Sequence, residues 1–421
     1  MTGTHPLSPP QDVDRVVDGL FRRASGRLVS SLTRRLGAHH MDLAQECVQD
    51  ALAQALHTWP YGGVPGEPEA WLYRVAVNRA IDALRRDNLG RAKLSDPTMI
   101  EELAHGQGHS PVVDDELAMM FMCCHPDIPP PHRVALTLKT VGGLSVDEIA
   151  AAFLIDPQTL AQRLVRAKRQ IRDQQLVLDV PEPSQLPARL ESLLDAIYLL
   201  FNEGYSAHSG DQLIKSDLCD EAIRLVRLLV ADHRTNRPEV RALLALMLFH
   251  AAREASRTSI DGSLLLLAEQ DRSLWNPELT AEAFRMFEQS MTGPKTPYHI
   301  EAAIASVHAA SPSFPQTNWA RIRELYDELL EFKPTPVIAM NRAIAVGHDA
   351  GPQAGLAALQ VLARDPHLAR YHLLPAAQAA FSVAIGAQTQ AIAFYRLALE
   401  LAPSAPDKRL LEAKLAAYRE G

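Results

Sequence analysis

The segment Ser145–Arg172 limits the fold of this chain more than any other. Ser145-Val-Asp-Glu148 is a capping box, which starts a helix at Val146 with Ile149, Ala150 and Phe153 on its apolar face. A few residues later Asp156-Pro157 starts another. Asp156 suits an N-cap, and Pro157 is pre-set for the first helical position. The second helix places Leu160, Leu164, Ala167 and Ile171 on one side, at spacings of four, three and four. Two short capped helices joined by a tight turn form a helix-turn-helix.

The helical period then assigns the other face of that second helix. It carries Gln158, Gln162, Val165, Arg166, Arg169 and Arg172, with Arg163 and Lys168 on the flanks and Thr159 in the first turn. No acid lies between Pro157 and Arg172. Amide side chains suit adenine edges, an apolar side chain suits the thymine methyl, and arginines suit phosphates. The alternative is a solvated basic face on an ordinary helical hairpin. The two caps and the acid-free helix favour DNA binding.

Bulk charge does not advertise this. The chain of 421 residues has a net charge of −8, and its basic residues are concentrated locally. Net charge bears on solubility and non-specific binding, not on one site. The weak bulk charge implies poor DNA binding by the free protein. Aromatics are 6% of the chain, and the abundance of Ala and Leu favours helices. Four cysteines in this length do not make a secreted disulfide framework. Met1–Gln11 is rich in Pro, Ser, Thr and His and lacks a leader pattern. The near-apolar stretch Ala242–Ala252 is too short to span a bilayer. These features predict a soluble cytoplasmic protein with no membrane association.

The period predicts an all-α chain in three parts. The first is 13–88, with helices over Asp42–Trp59 and Glu67–Arg86 and a loop at Pro60–Gly66. Residues 89–113 form a linker, and 114–175 hold the helix-turn-helix. After a Pro-rich connection at Val177–Pro187, a long helical part fills 188–421. Within it Gly351–Pro366 aligns with Ala387–Pro403, a loose resemblance to tetratricopeptide helix pairs; two unrelated Ala-rich helices are the other reading.

On the second early helix Leu72, Val75, Ala76 and Ala83 are expected to face inward. Arg74, Asn78 and Arg85 share the outer stripe beside Trp71, with Trp59 and Tyr61 at the loop edge. Arginines interleaved with aromatics suit single-stranded or opened nucleic acid. Core anchoring of Trp59 and Trp71 is the alternative.

The segment DLAQECVQDALAQAL followed by EAWLYRVAVNRAIDALRR resembles region 2 of the extracytoplasmic-function (ECF) sigma factors. VALTLKTVGGLSVDEIAAAFLIDPQTLAQRLVRAKRQIR resembles their region 4. The later part, with FNEGYSA, DLCDEAIRLVRLL and AEQDRSLWN, resembles the tetratricopeptide-like C-terminal extension of one subgroup, as does CCHPDIPP before region 4. The resemblance implies an RNA polymerase sigma factor without catalytic activity of its own. Asp42, Glu46, Gln49 and Asp50 would bind the β′ clamp helices of core RNA polymerase, and region 4 would lie at the β flap. Trp59, Trp71, Tyr73, Arg74, Asn78 and Arg85 would open and read the −10 promoter element. Gln158, Thr159, Gln162, Arg163, Val165, Arg166 and Arg169 would read the −35 element. The linker would thread toward the RNA channel. Ala161 and Gln162 replace a basic residue and a small hydroxyl common in the family, so the promoter sequence does not transfer from relatives.

The extension is expected to dock on the sigma domains or on polymerase and set activity. Two other readings stay open: a ligand-responsive helix-turn-helix regulator, and a helical-repeat scaffold with a vestigial sigma domain. Cys123-Cys124-His125 and His132 invite a zinc reading, but adjacent cysteines fit ligand spacing poorly. Buried structural thiols are the expectation, with no metal and no cofactor. His250, Arg253, Asp271-Arg272 and His308 are read as caps and ion pairs, with a ligand cleft between helices as the alternative.

Overall fold

The computed structural model describes residues 24–90, 113–153, 155–205, 216–259 and 263–417. Almost all of the expected linker 89–113 lies outside them. Among the described residues the chain is all-α. It divides into two compact units, Met1–Leu199 and Leu200–Gly421.

The first unit begins with α1 (24–36), whose Leu28, Leu32 and Leu36 are buried. Then follow α2 (Met41–Gly62), α3 (Pro68–Gly90), α4 (Val113–Cys123), α5 (Pro130–Thr140), α6 (Val146–Phe153) and α7 (Pro157–Asp173). Helix α8 (Leu186–Tyr205) crosses into the second unit. From Leu117 to Cys123 α4 is buried on every side, as the run LAMMFMC requires. Helices α2 and α3 pack against each other, and α7 packs on α5 and α6.

Segments on either side of the linker are held together directly. Gly26 on α1 lies so close to α5's end that a Cβ there would stand 2.0 Å from the Val141 carbonyl oxygen. The Ser31 hydroxyl donates to Asp115 at 2.7 Å, and Arg34 pairs with the same carboxylate at 2.5 Å. Buried Gln45 on α2 donates to the Thr140 hydroxyl at 3.1 Å. The expected extension boundary at Ala188 falls inside α8, whose first turns belong to this unit. Arg189 donates to the Phe121 carbonyl at 2.7 Å and Ser192 to the Cys124 carbonyl at 2.8 Å.

The second unit continues with α9 (Ser216–Ala231), α10 (Pro238–Ala251), α11 (Pro277–Ser290), α12 (Pro297–Ala310), α13 (Trp319–Phe332), α14 (Pro336–Asp349), α15 (Pro352–Leu362), α16 (Leu373–Ala384), α17 (Gln388–Leu401) and α18 (Ala405–Ala416). Several begin with Pro at the first turn, where its missing N–H costs nothing. Asn276 caps α11 through bonds from Glu278 and Leu279 N–H at 2.9 and 3.0 Å. Helix α10 is buried from Ala242 to Phe249 and packs on α9, α11 and α12. That near-apolar stretch is therefore a core helix, and among the described residues no helix is long and apolar enough to cross a membrane. From α13 to α18 each helix packs on the next. Helices α14 and α15 meet at Gly347 and Gly355, with the Phe381 ring of α16 lying across both.

Candidate functional site

The caps read from the sequence form as hydrogen bonds. Ser145 N–H donates to Glu148 at 2.7 Å, and Glu148 N–H donates back to the Ser145 hydroxyl at 3.1 Å. Thr159 N–H donates to the Asp156 carboxylate at 3.0 Å, which satisfies one orphan donor of α7. Leu160, Leu164, Ala167 and Ile171 are buried. Gln158, Thr159, Gln162, Val165, Arg166, Arg169 and Arg172 are exposed, and Arg163 is half-buried. Val165 is 62% exposed among polar neighbours, so packing does not account for it. Arg169 pairs loosely with Asp173 at 3.2 Å.

Lys168 leaves this face. Its ammonium donates to Asp42 at 2.5 Å and to the Gln45 amide oxygen at 2.6 Å. Arg172 reaches the other Asp42 oxygen at 3.9 Å. Spacing placed Lys168 on a flank; only the arrival of α2 decides what it meets.

On α2, Asp42, Glu46, Gln49 and Asp50 are all exposed, on one face. The helix runs through Pro60 to Gly62 and stops at Gly63, which has φ 79°. The expected loop is therefore shorter at its start than Pro60–Gly66, and Tyr61 sits in the last helical turn, 93% exposed. Trp59 is only 3% exposed and packs edge-on against Trp71, ring centroids 5.5 Å apart. Tyr73 is 2% exposed. Neither Trp59 nor Tyr73 offers its ring to DNA in this conformation; both are packing residues beneath the surface. The inward face of α3 is Leu72, Tyr73, Ala76, Val77, Ala80, Ile81 and Leu84, with Val75 and Ala83 on its margins. Trp71 is half-buried, while Arg74, Asn78 and Arg85 are exposed on one stripe. Arg27 ties α1 to α3 through Glu69 at 2.7 Å.

Residues 20–89 match the sigma-70 region 2 family, and residues 118–171 the sigma-70 region 4 family. The ECF RNA polymerase sigma factor SigE of Mycolicibacterium smegmatis is 27% identical over 166 residues, 37% of this chain and 60% of that protein. This chain belongs to the ECF-type sigma-70 factors. Core RNA polymerase and promoter DNA are accordingly the partners of this sigma factor. It carries a C-terminal extension, of which residues 189–291 match a family of unknown function, DUF6596. An uncharacterised protein of Rhizobium meliloti (strain 1021) is 39% identical over 347 residues, 80% of this chain and 82% of that protein. No solved structure matches the sigma factor.

Cys47, Cys123, Cys124 and Cys219 are buried and unpaired. Burial pushes Cys124 up to about 11, against the pull of the Thr137 hydroxyl 3.2 Å away. Burial raises Cys123 too, and the neighbouring Cys124 adds to it. Thiols held protonated in this way are poor nucleophiles and poor metal ligands.

Proposed function

We propose that the sigma factor initiates transcription by joining two DNA-reading surfaces on core polymerase. The α7 face supplies the −35 reader: Gln158, Thr159, Gln162 and Val165 meet base edges, and Arg163, Arg166 and Arg169 meet phosphates. On α3, Trp71, Arg74, Asn78 and Arg85 hold the opened −10 strand. Trp59 and Tyr73 support that surface from beneath. Asp42, Glu46, Gln49 and Asp50 contact the β′ clamp helices, region 4 lies at the β flap, and the linker runs toward the RNA channel. The polymerase performs the chemistry, and the factor works in the cytoplasm. Each DNA reader alone is weak; polymerase raises the effective concentration of one once the other is bound.

One observation carries this reading: α7 has no acid from Pro157 to Arg172, and its exposed face combines amides, arginines and an exposed Val165. A purely structural hairpin has no use for that combination.

The extension is proposed to set activity by docking on the sigma domains or on polymerase, since stacked-helix surfaces bind partners. Transcription by purified core polymerase on a pool of promoter fragments tests both ideas. The full-length factor is compared with a chain ending at Tyr205, which keeps Arg189 and Ser192 in place on the first unit. Specific start sites with the full chain support the initiation reading; none, with polymerase binding also absent, defeats it. Equal activity and equal polymerase binding of the two chains would rule out a regulatory extension.

A further inference from the structure

A cluster of cationic and aromatic side chains lies in the second unit, far in sequence from the promoter-reading helices. It gathers His250 at the end of α10, Arg253 and Arg257 just beyond it, Arg272 and Trp275 before α11, and His308 on α12. The Arg272 guanidinium stands 4.8 Å from the Trp275 ring centroid, and that of Arg253 stands 5.8 Å from it. Arg272 Nη1 donates to the carbonyls of His308, at 2.5 Å, and of Ser311. Arg253 donates to the Tyr205 hydroxyl at 2.7 Å. Arg257 lies 3.7 Å over the Tyr205 ring, and His250 lies 4.9 Å from it. Beyond His308, Trp319 packs at 5.3 Å and stacks on His348 at 4.3 Å.

Five polar atoms of this cluster are buried without a hydrogen-bond partner among the described residues: His250 Nδ1, Arg253 Nε, Arg272 Nη2, Trp275 Nε1 and His308 Nδ1. Three of the five are obligate donors. A buried donor left unpaired costs about 1–3 kcal/mol, and more when charged. Like charges compound the cost. Burial pushes His308 down to about 4, with Arg253, Arg272 and His348 all acting in the same direction. Burial lowers His250 well below 6.5, and Arg253, Arg257 and His308 add to that. Acidic groups stand on the Arg257 side, where burial and Asp220 raise Glu254 against the pull of Arg257. Among the described residues, His308 is disfavoured as a cation by Arg253 and Arg272, and Arg272 by Arg253.

We propose that this cluster is a binding site for a small oxyanion, a carboxylate or phosphate group carried by an effector molecule. The guanidinium groups of Arg253 and Arg272 and the indole N–H of Trp275 supply the donors, and charge-assisted bonds from arginine are the strong kind. The Trp275 ring backs the guanidinium groups and limits how they can turn. An anion there answers both deficits at once: it accepts from the unpaired donors and neutralises the gathered positive charge. The site does not depend on how the extension acts on transcription.

The test uses the full-length chain in calorimetric titrations with inorganic phosphate and with benzoate, at constant ionic strength. The expected result is saturable one-to-one binding of at least one anion; which one binds separates phosphate from carboxylate chemistry. Arg253→Gln and Trp275→Phe each weaken it about tenfold or more, while Arg285→Gln, exposed on α11, leaves it unchanged. Circular dichroism checks the fold of each variant. Hydrogen exchange on the unaltered chain asks the same question without substitution, and bound anion should slow exchange over residues 250–257 and 272–275. No saturable binding of either anion by the folded chain, or binding that survives both substitutions, overturns the proposal.

Discussion

Lys168 of α7, the helix proposed to read the promoter, is bonded to Asp42 of α2, the helix proposed to meet polymerase, at 2.5 Å. The lysine side chain is 17% exposed and the aspartate side chain 50%. Under the proposed function, the polymerase clamp and Lys168 compete for the same carboxylate. Lys168→Ala is therefore expected to tighten binding to core polymerase by about two- to fivefold, the scale of one partly exposed ion pair. The gain should shrink at high salt, where the pair is screened. Fluorescence titration of labelled factor with core polymerase at two salt concentrations measures it. Unchanged or weaker binding counts against the competition.

Arg166 and Gln162 should behave differently on DNA. Under the proposed function Arg166→Ala removes a phosphate contact, so it is expected to weaken −35 binding evenly across sequences and to lower the salt slope by about one. Gln162→Ala removes the proposed base contact and should relax preference at a single position, at about 1–3 kcal/mol. Competition binding to a randomised −35 library, with polymerase present, separates the two patterns.

The two caps can be tested by stability alone. Asp156→Ala and Ser145→Ala each remove a hydrogen bond at a helix start, and each should cost about 1 kcal/mol. Asp156→Asn keeps the acceptor and should restore most of the loss. Urea unfolding followed by circular dichroism reads these changes.

Gly26→Ala should be far more damaging than its chemistry suggests. A methyl there would meet the Val141 carbonyl 2.0 Å away, with backbone on both sides. The cost is expected to reach about 1–3 kcal/mol or more, as for other overpacked sites. Gly62→Ala, with nothing within 4 Å, should be neutral or slightly stabilising. A pair of thermal melts decides between them.

His308 gives the extension a stability that depends on pH. Its value is pushed from 6.5 to about 4, so the unfolded chain takes up a proton before the folded one. Its contribution is fully present above 6.5 and is lost progressively as pH falls from 6.5 to about 4. His250, also lowered, acts in the same direction. Thermal melts between pH 7 and 4 should show His308→Gln losing less melting temperature than the parent chain. Parallel curves would sink this account.

The sequence by itself determined what depends on near neighbours. The caps at Ser145 and Asp156, the buried set Leu160, Leu164, Ala167 and Ile171, and the exposed set around Arg166 follow from hydrogen bonds and periodicity within one or two turns. The sigma-factor blocks were legible because their motifs are contiguous. On α3 the period gave Leu72 and Ala76 as inward, and both are buried; Tyr73, which the resemblance brings to the −10 surface, is 2% exposed, because the period alone does not say how wide the buried face is. Only the tertiary structure decided which flank residue meets what. Lys168 and Arg163 both flank the same helix, but α2 arrives beside Lys168 alone. Tertiary packing also set Gly26 against the Val141 carbonyl and brought Tyr205, His250, Arg272 and His308 to one place. Contacts between residues dozens of positions apart depend on how helices pack, and local spacing carries no record of that.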